Sequence, residues 1–238
     1  MAVEVLKNSN FDINKRYGDS SLLQLAVKND QFETVRYLVK HGAKIVQTFD
    51  DVITLARPEH FLNTENALTY AKTPRMAQFL IDHGADINVG SGYNRRTLLF
   101  ESARRGDLEL VKFCIRNNSD VNQPLRGSLC EGISRATALE VACQCCGESR
   151  PDDVCQNPQY VTIIKFLVQN GALINREDAY DDNALVGAVL SKNKEVVEFL
   201  LKNGANVKVK LHLLDGLRIS DILAEKMDNA DKRNGNWP

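Results

Sequence analysis

The sequence predicts an all-α solenoid of stacked helix-turn-helix units, and three observations carry that prediction. An apolar run ending in a glycine recurs as YLVKHGAKI, FLIDHGADIN, FLVQNGALIN and FLLKNGANV, which places Gly42, Gly84, Gly171 and Gly204 in register. Upstream of the stops, a residue able to cap a helix opens a short helical stretch at Ser21, Asn66, Thr97, Thr137 and Asn183. Five positions after each cap stands a small residue, Ala26, Ala71, Ser102, Ala142 or Ala188, which lets two helices approach closely. A unit of this size buries its apolar face only against its neighbours, so the chain is expected to stack the units around one continuous core.

The elements follow in order. AVEVLKNSNFDIN reads as the second helix of a unit with Asn10 in the glycine's place, so residues 1–14 are expected to form a half-repeat that shields the next unit from water. The first full repeat covers 15–45; Val35, Leu38 and Val39 give its second helix an apolar face, and Gly42 ends it in the left-handed region. A longer connector, VQTFDDVITLARPEHFLNTE, occupies 46–65, and a helix of its own is expected over 50–56. The second repeat, 66–88, is short: Ala71 to Gly84 spans 13 residues against 16 from Ala26 to Gly42, and Pro74 falls where the inter-helix turn is expected.

The third repeat, 93–122, regains the 16-residue spacing between Ser102 and Asn118. Asn118 stands where a glycine is expected, and Asn is the commonest other residue in left-handed backbone. In the fourth, 133–175, the finger lengthens over 123–136 and Ala142 to Gly171 stretches to 29 residues through CQCCGESRPDDVCQNPQY. A fifth repeat covers 179–208, residues 209–227 with Ile219, Ile222 and Leu223 form a closing cap, and 228–238 reads as a polar mobile tail. Insertions in solenoids fall on the surface, where a tolerated loop and a functional one both remain open.

These units resemble ankyrin repeats over most of the chain, with a period near 33 between Gly171 and Gly204. That family's Thr-Pro-Leu-His start is degenerate here: Leu22, Ala67, Leu98, Ala138 and Ala184 replace its Pro, and Gln24, Thr69, Phe100, Glu140 and Val186 replace its His. Losing those hydrogen bonds and the pre-set first turn implies a less rigid stack.

The resemblance also implies a protein–protein interaction module, a scaffold, adaptor or inhibitor that holds its partner on a concave face. The candidate partner-binding residues carried over from it are Tyr17, Tyr93, Asn94, Arg96, Tyr180 and Asp182 in the fingers. The inner helices add Lys28, Asn29, Arg104 and Arg105. Tyr and Arg are over-represented among residues that dominate binding energy; the alternative is that each Tyr packs on its own hairpin. Arg95, Arg96, Arg104 and Arg105 gather in one repeat and Glu177, Asp178, Asp181 and Asp182 in another, so an acidic partner segment is expected at the arginines unless the clusters are only solvated.

Composition sets the remaining bounds. With 43% hydrophobic and 26% charged residues the chain is globular, and a net charge of -1 supplies no field for nucleic acid or an acidic membrane. No apolar run reaches membrane-helix length and no secretory leader opens the sequence, so a soluble cytoplasmic monomer is expected, with no cofactor. Ankyrin modules abound in eukaryotes and also serve intracellular bacteria as secreted effectors, so a host-directed role in host cytoplasm stays open.

Cys143, Cys145, Cys146 and Cys155 cluster at the fourth-repeat insertion, with Cys130 in its finger and Cys114 on an apolar helix face. Their C-x-C-C-x8-C spacing lacks paired C-x2-C knuckles, so unpaired thiols are expected rather than zinc. His41 and His83 precede helix-ending glycines, where the repeat explains them, and His60 and His212 lie in irregular segments. With no phosphate loop or metalloprotease motif, the chain reads as no enzyme. The alternative is a small enzyme or metal-dependent sensor centred on the Cys-rich insertion.

Overall fold

The computed structural model describes residues 12–18, 20–49, 63–92, 94–125, 135–146, 159–176 and 183–207. The chain forms two compact units, one of residues 1–101 with 109–120 and one of residues 102–108 with 121–238. In the first, β1 (Arg16–Tyr17) pairs antiparallel with β2 (Ser20–Ser21), and α1 (Leu22–Lys28) and α2 (Phe32–Lys40) follow. Then β3 (Val46–Phe49) pairs with β4 (Asn63–Asn66), which leads into a 3-10 helix (Ala67–Tyr70) and α3 (Pro74–Asp82). The division between units passes through the third repeat, α4 (Leu98–Arg105) and α5 (Leu108–Arg116). The second unit continues with α6 (Ala138–Cys145), α7 (Gln159–Gln169), α8 (Ala184–Leu190) and α9 (Lys194–Lys202).

All five expected caps are made. Ser21 Oγ accepts from the Gln24 amide at 3.3 Å while Gln24 Oε1 accepts from the Ser21 amide at 2.9 Å, and Thr137 with Glu140 forms the same reciprocal box at 3.4 and 2.6 Å. Asn66 and Asn183 accept from Leu68 and Leu185, and Thr97 from Phe100. Each such cap stabilises its helix start by about 1 kcal/mol. Gln24 and Glu140 stand where the resemblance puts histidine, so those two positions anchor their helix starts by other bonds. Thr69, at the same position, donates its hydroxyl to the Arg96 carbonyl at 3.1 Å.

The helix stops are as regular as the caps. Gly42, Gly84, Gly171 and Gly204 have φ of +90°, +97°, +90° and +85°, and Asn118 takes +60°. After each, the next amide reaches back to the fifth carbonyl before it, as from Ala43 to Leu38 and from Ser119 to Cys114, both at 3.0 Å. This closure satisfies carbonyls that a helix end leaves free. A second left-handed residue closes inner helices at Asp30, Gly106 and Lys192, where the next amide bonds back to Ala26, Ser102 and Ala188.

An asparagine clamp ties the fingers to the stops. Asn14 Nδ2 donates to the Gly42 carbonyl at 3.2 Å and its Oδ1 accepts from the Lys44 amide at 2.8 Å. Asn88 spans Asn118 and Asp120, Asn122 spans Gly171 and Leu173, and Asn175 spans Gly204 and Asn206 in the same way.

Each unit has its own apolar interior. Leu23, Val27, Val35, Leu68, Met76 and Leu80 are buried in the first, where α1 packs on α2 and on the 3-10 helix. In the second, α6 packs on α7 and α8 around Leu139, Tyr160, Ile163, Leu167 and Leu185. Gly187 permits that approach, since a Cβ there would come within 3.1 Å of the Gln144 amide nitrogen.

Two irregular segments differ from expectation. Pro74 does not sit in the inter-helix turn: it is the first residue of α3, capped by Thr73, where its missing amide costs no helical hydrogen bond. The arms of the 46–65 connector pair as antiparallel strands, Val46 opposite Asn66 through Phe49 opposite Asn63. The helix expected over 50–56 lies outside the described residues, as do the closing cap at 209–227, the tail at 228–238 and all but the last three residues of the 1–14 half-repeat.

Candidate partner-binding surface

The first repeat holds three of the expected contact residues, Tyr17, Lys28 and Asn29. The tight β1–β2 turn holds Tyr17 out into solvent, 44% exposed, because its neighbour Arg16 turns inward to Glu65 at 2.9 Å. Lys28, in the last turn of α1, is committed within the fold: its ammonium donates to Ser20 Oγ at 2.7 Å and lies 4.2 Å from the centre of the Tyr70 ring. Asn29 is exposed at the end of α1, and its amide donates to the Leu25 carbonyl at 2.8 Å. Leu25 itself, absent from the expected set, is 38% exposed on the same helix.

The third finger is closed by paired bonds between Ser91 and Arg96, at 2.8 and 3.0 Å. Arg96 keeps a half-exposed side chain whose guanidinium meets Glu101 at 3.3 Å, and Asn94 is half-buried. Arg104 and Arg105, in the last turn of α4, belong to the other unit and are half-buried; the Arg104 carbonyl accepts the Tyr160 hydroxyl at 2.7 Å. Tyr93, Tyr180 and Asp182 lie outside the described residues, as does the acidic cluster at 177–182.

A second surface was not anticipated. Between the outer helices α2 and α3 lies an open groove of about 490 Å³ lined by Glu33, Arg36, Tyr37, Lys40, Phe79 and His83. Phe79 and Phe32 meet edge to face with ring centres 5.4 Å apart, and the Arg75 guanidinium covers the Phe32 ring at 4.0 Å. The His83 ring lies tilted against Phe79 with ring centres 4.2 Å apart, while its Nδ1 donates to the Phe79 carbonyl at 2.8 Å. Aromatic residues on an outer helix read as core in a periodicity argument; the usable signal was that each is flanked by a cation one turn away.

The fold has a solved counterpart. The crystal structure of the human ASB11 ankyrin repeat domain superposes with a TM-score of 0.64, covering 93% of this chain and 85% of that one at 19% identity. Residues 17–48, which include Tyr17 and the whole first helix pair, match the family model described as Ankyrin repeat. The chain has the ankyrin-repeat fold.

Its similarity extends to longer proteins. Human ankyrin repeat and SOCS box protein 6 is 26% identical over 140 residues, 56% of this chain and 29% of the relative. Human ankyrin repeat and SOCS box protein 16 is 28% identical over 198 residues, 83% of this chain and 39% of that protein. An L-asparaginase of Dirofilaria immitis is 27% identical over 173 residues, 72% of this chain but 25% of the relative. The chain thus spans well under half the length of each of these relatives.

Within this fold the described cysteines are packing groups. Cys114, Cys143, Cys145 and Cys146 are buried and unbridged. Burial pushes the Cys143 thiol well above its ordinary range, and the nearby Cys146 and Glu140 raise it further. The Cys146 thiol donates to the Cys143 carbonyl at 3.0 Å; Ser191 donates to the Cys143 and Gln144 carbonyls and Asn193 to that of Cys146, the residue after α6, at 2.8 to 2.9 Å. Cys130, Cys155, His60 and His212 lie outside the described residues. His41 ends α2 as expected, its Nδ1 donating to the Tyr37 carbonyl at 2.7 Å.

Proposed function

We propose that this chain holds a partner protein through the finger and inner-helix side of its repeats, acting as a scaffold, adaptor or inhibitor. Ankyrin repeats generally mediate protein–protein interaction. The observation that carries the reading is Tyr17 and Leu25, two large apolar side chains left 44% and 38% exposed on the finger and inner helix of one repeat. Exposed aromatic and apolar groups set among polar ones are what a binding hot spot requires. Asn29 lies at the end of the same helix, and Arg96 offers an exposed guanidinium in the third finger. In the second unit Arg104 and Arg105 are the expected meeting point for carboxylates of an acidic segment. We place this work in the cytoplasm, and no described helix is long and apolar enough to cross a membrane.

The test is an affinity capture comparing the natural chain with Tyr17→Ala/Leu25→Ala, both first shown to have equal thermal midpoints. The captured proteins are quantified by mass spectrometry. Loss of specific proteins from the variant's eluate supports the reading. The same proteins at the same yield would sink it.

A further inference from the structure

We infer that the groove between outer helices α2 and α3 is a second docking site, and that it takes an acidic protein segment carrying an aromatic or large apolar side chain. Three features of the groove specify that occupant, and they are independent of the finger and inner-helix side.

The floor is apolar and open. Tyr37, Phe79 and His83 line a space of about 490 Å³, which is within the range of a pocket that buries a side chain of ring size. Phe79 is half-buried rather than sealed, although it already packs edge to face with Phe32. A ring entering the groove removes more of that aromatic surface from water without moving the helices.

The walls are cationic. Arg36 and Lys40 lie one turn apart on α2, and Arg75 stands over Phe32 at the adjoining edge. Glu33 is the carboxylate among the lining residues, and it is taken up by Arg36 at 2.9 Å as an exposed i,i+3 pair. Such a pair is weak and readily exchanged for an incoming carboxylate. Lys40 adds a further positive charge at the end of α2. Complementary charge selects an acidic segment over a basic one.

The geometry also fixes orientation. The carbonyl ends of α2 and α3, at His41 and His83, disfavour an anion lying over them. Carboxylates are therefore directed along α2 toward Arg36, with the apolar group over Phe79 and the Lys40 ammonium offsetting the helix-end charge.

Fluorescence anisotropy tests this with the full chain and two fluorescein-labelled peptides, Asp-Glu-Phe-Glu-Asp and its basic counterpart Lys-Lys-Phe-Lys-Lys. The acidic peptide is expected to bind saturably and the basic one not at all. Arg36→Glu/Lys40→Glu, both at exposed positions, should weaken binding about tenfold or more, and Glu33→Gln, which releases Arg36, should strengthen it about threefold. Tyr17→Ala/Leu25→Ala should leave the affinity unchanged, so failure of this site and failure of the finger-side reading are told apart. Equal binding of both peptides, or an affinity indifferent to Arg36→Glu/Lys40→Glu, overturns the proposal.

Discussion

Replacing Asn175 by alanine isolates the asparagine clamp in a single position. The side chain makes two bonds across the finger, one from Nδ2 to the Gly204 carbonyl at 2.7 Å and one to Oδ1 from the Asn206 amide at 2.8 Å. Both are exposed, so water replaces them when the amide is removed, and each is worth about 0.5 kcal/mol, the low end for such bonds. Asn175→Ala should therefore cost about 1 kcal/mol, a fall of about 2 to 4 °C in thermal midpoint for a chain of this size. Asn175→Asp keeps the acceptor for the Asn206 amide and loses the donor to Gly204, so it should cost about half as much. Urea titration followed by circular dichroism, with a thermal melt as a cross-check, gives both numbers. An alanine variant within about 0.3 kcal/mol of the natural chain, or an aspartate variant equal to alanine, would refute the two-bond account.

Two further outcomes follow from backbone and thiol chemistry. Gly84→Ala should destabilise by about 1 to 2 kcal/mol although a Cβ there meets open space, because the cost lies wholly in φ of +97°. Asn118→Gly should be neutral or slightly stabilising at the equivalent stop, and the pair is read by the same urea titration. Cys114, Cys143, Cys145 and Cys146 should resist maleimide in the native chain and react once it is denatured, as mapped by peptide mass spectrometry. Because the folded Cys143 thiol is held above its ordinary range, its contribution is intact below the pKa of an unfolded thiol and declines as pH rises past it. Cys143→Ala should flatten that alkaline fall, as measured by stability against pH.

Much of the fold was legible because it depends on local chemistry. Ser21, Asn66, Thr97, Thr137 and Asn183 are caps by residue type, and glycine or asparagine at a helix stop follows from φ alone. Asp30 and Lys192 escaped notice because nothing in an aspartate or lysine announces a left-handed turn. Asn14, Asn88 and Asn175 stood at the ends of the repeat segments, yet the clamp partners lie about thirty to fifty residues on, beyond a local reading. Pro74 was misplaced by one element, since proline marks both a turn and a first helical residue.

The binding residues were less legible. Lys28 looked available until Ser20 and Tyr70 proved to hold it, and Leu25, exposed on the same helix, carries no sequence signal that marks it. The outer-helix groove needs two helices side by side, which no single-segment pattern displays.

The clamp gives each unit a direction. An asparagine always reaches forward, from its own finger to the helix stop that follows. Stripping the last helix pair from the carboxyl side leaves Asn175 with both polar atoms idle. Among the described residues, a cut just after Asn14 takes the clamp from the Gly42 carbonyl and the Lys44 amide, both at exposed residues. Losses in such a chain are thus felt upstream of where they occur, and wear at the carboxyl end loosens the finger that precedes it.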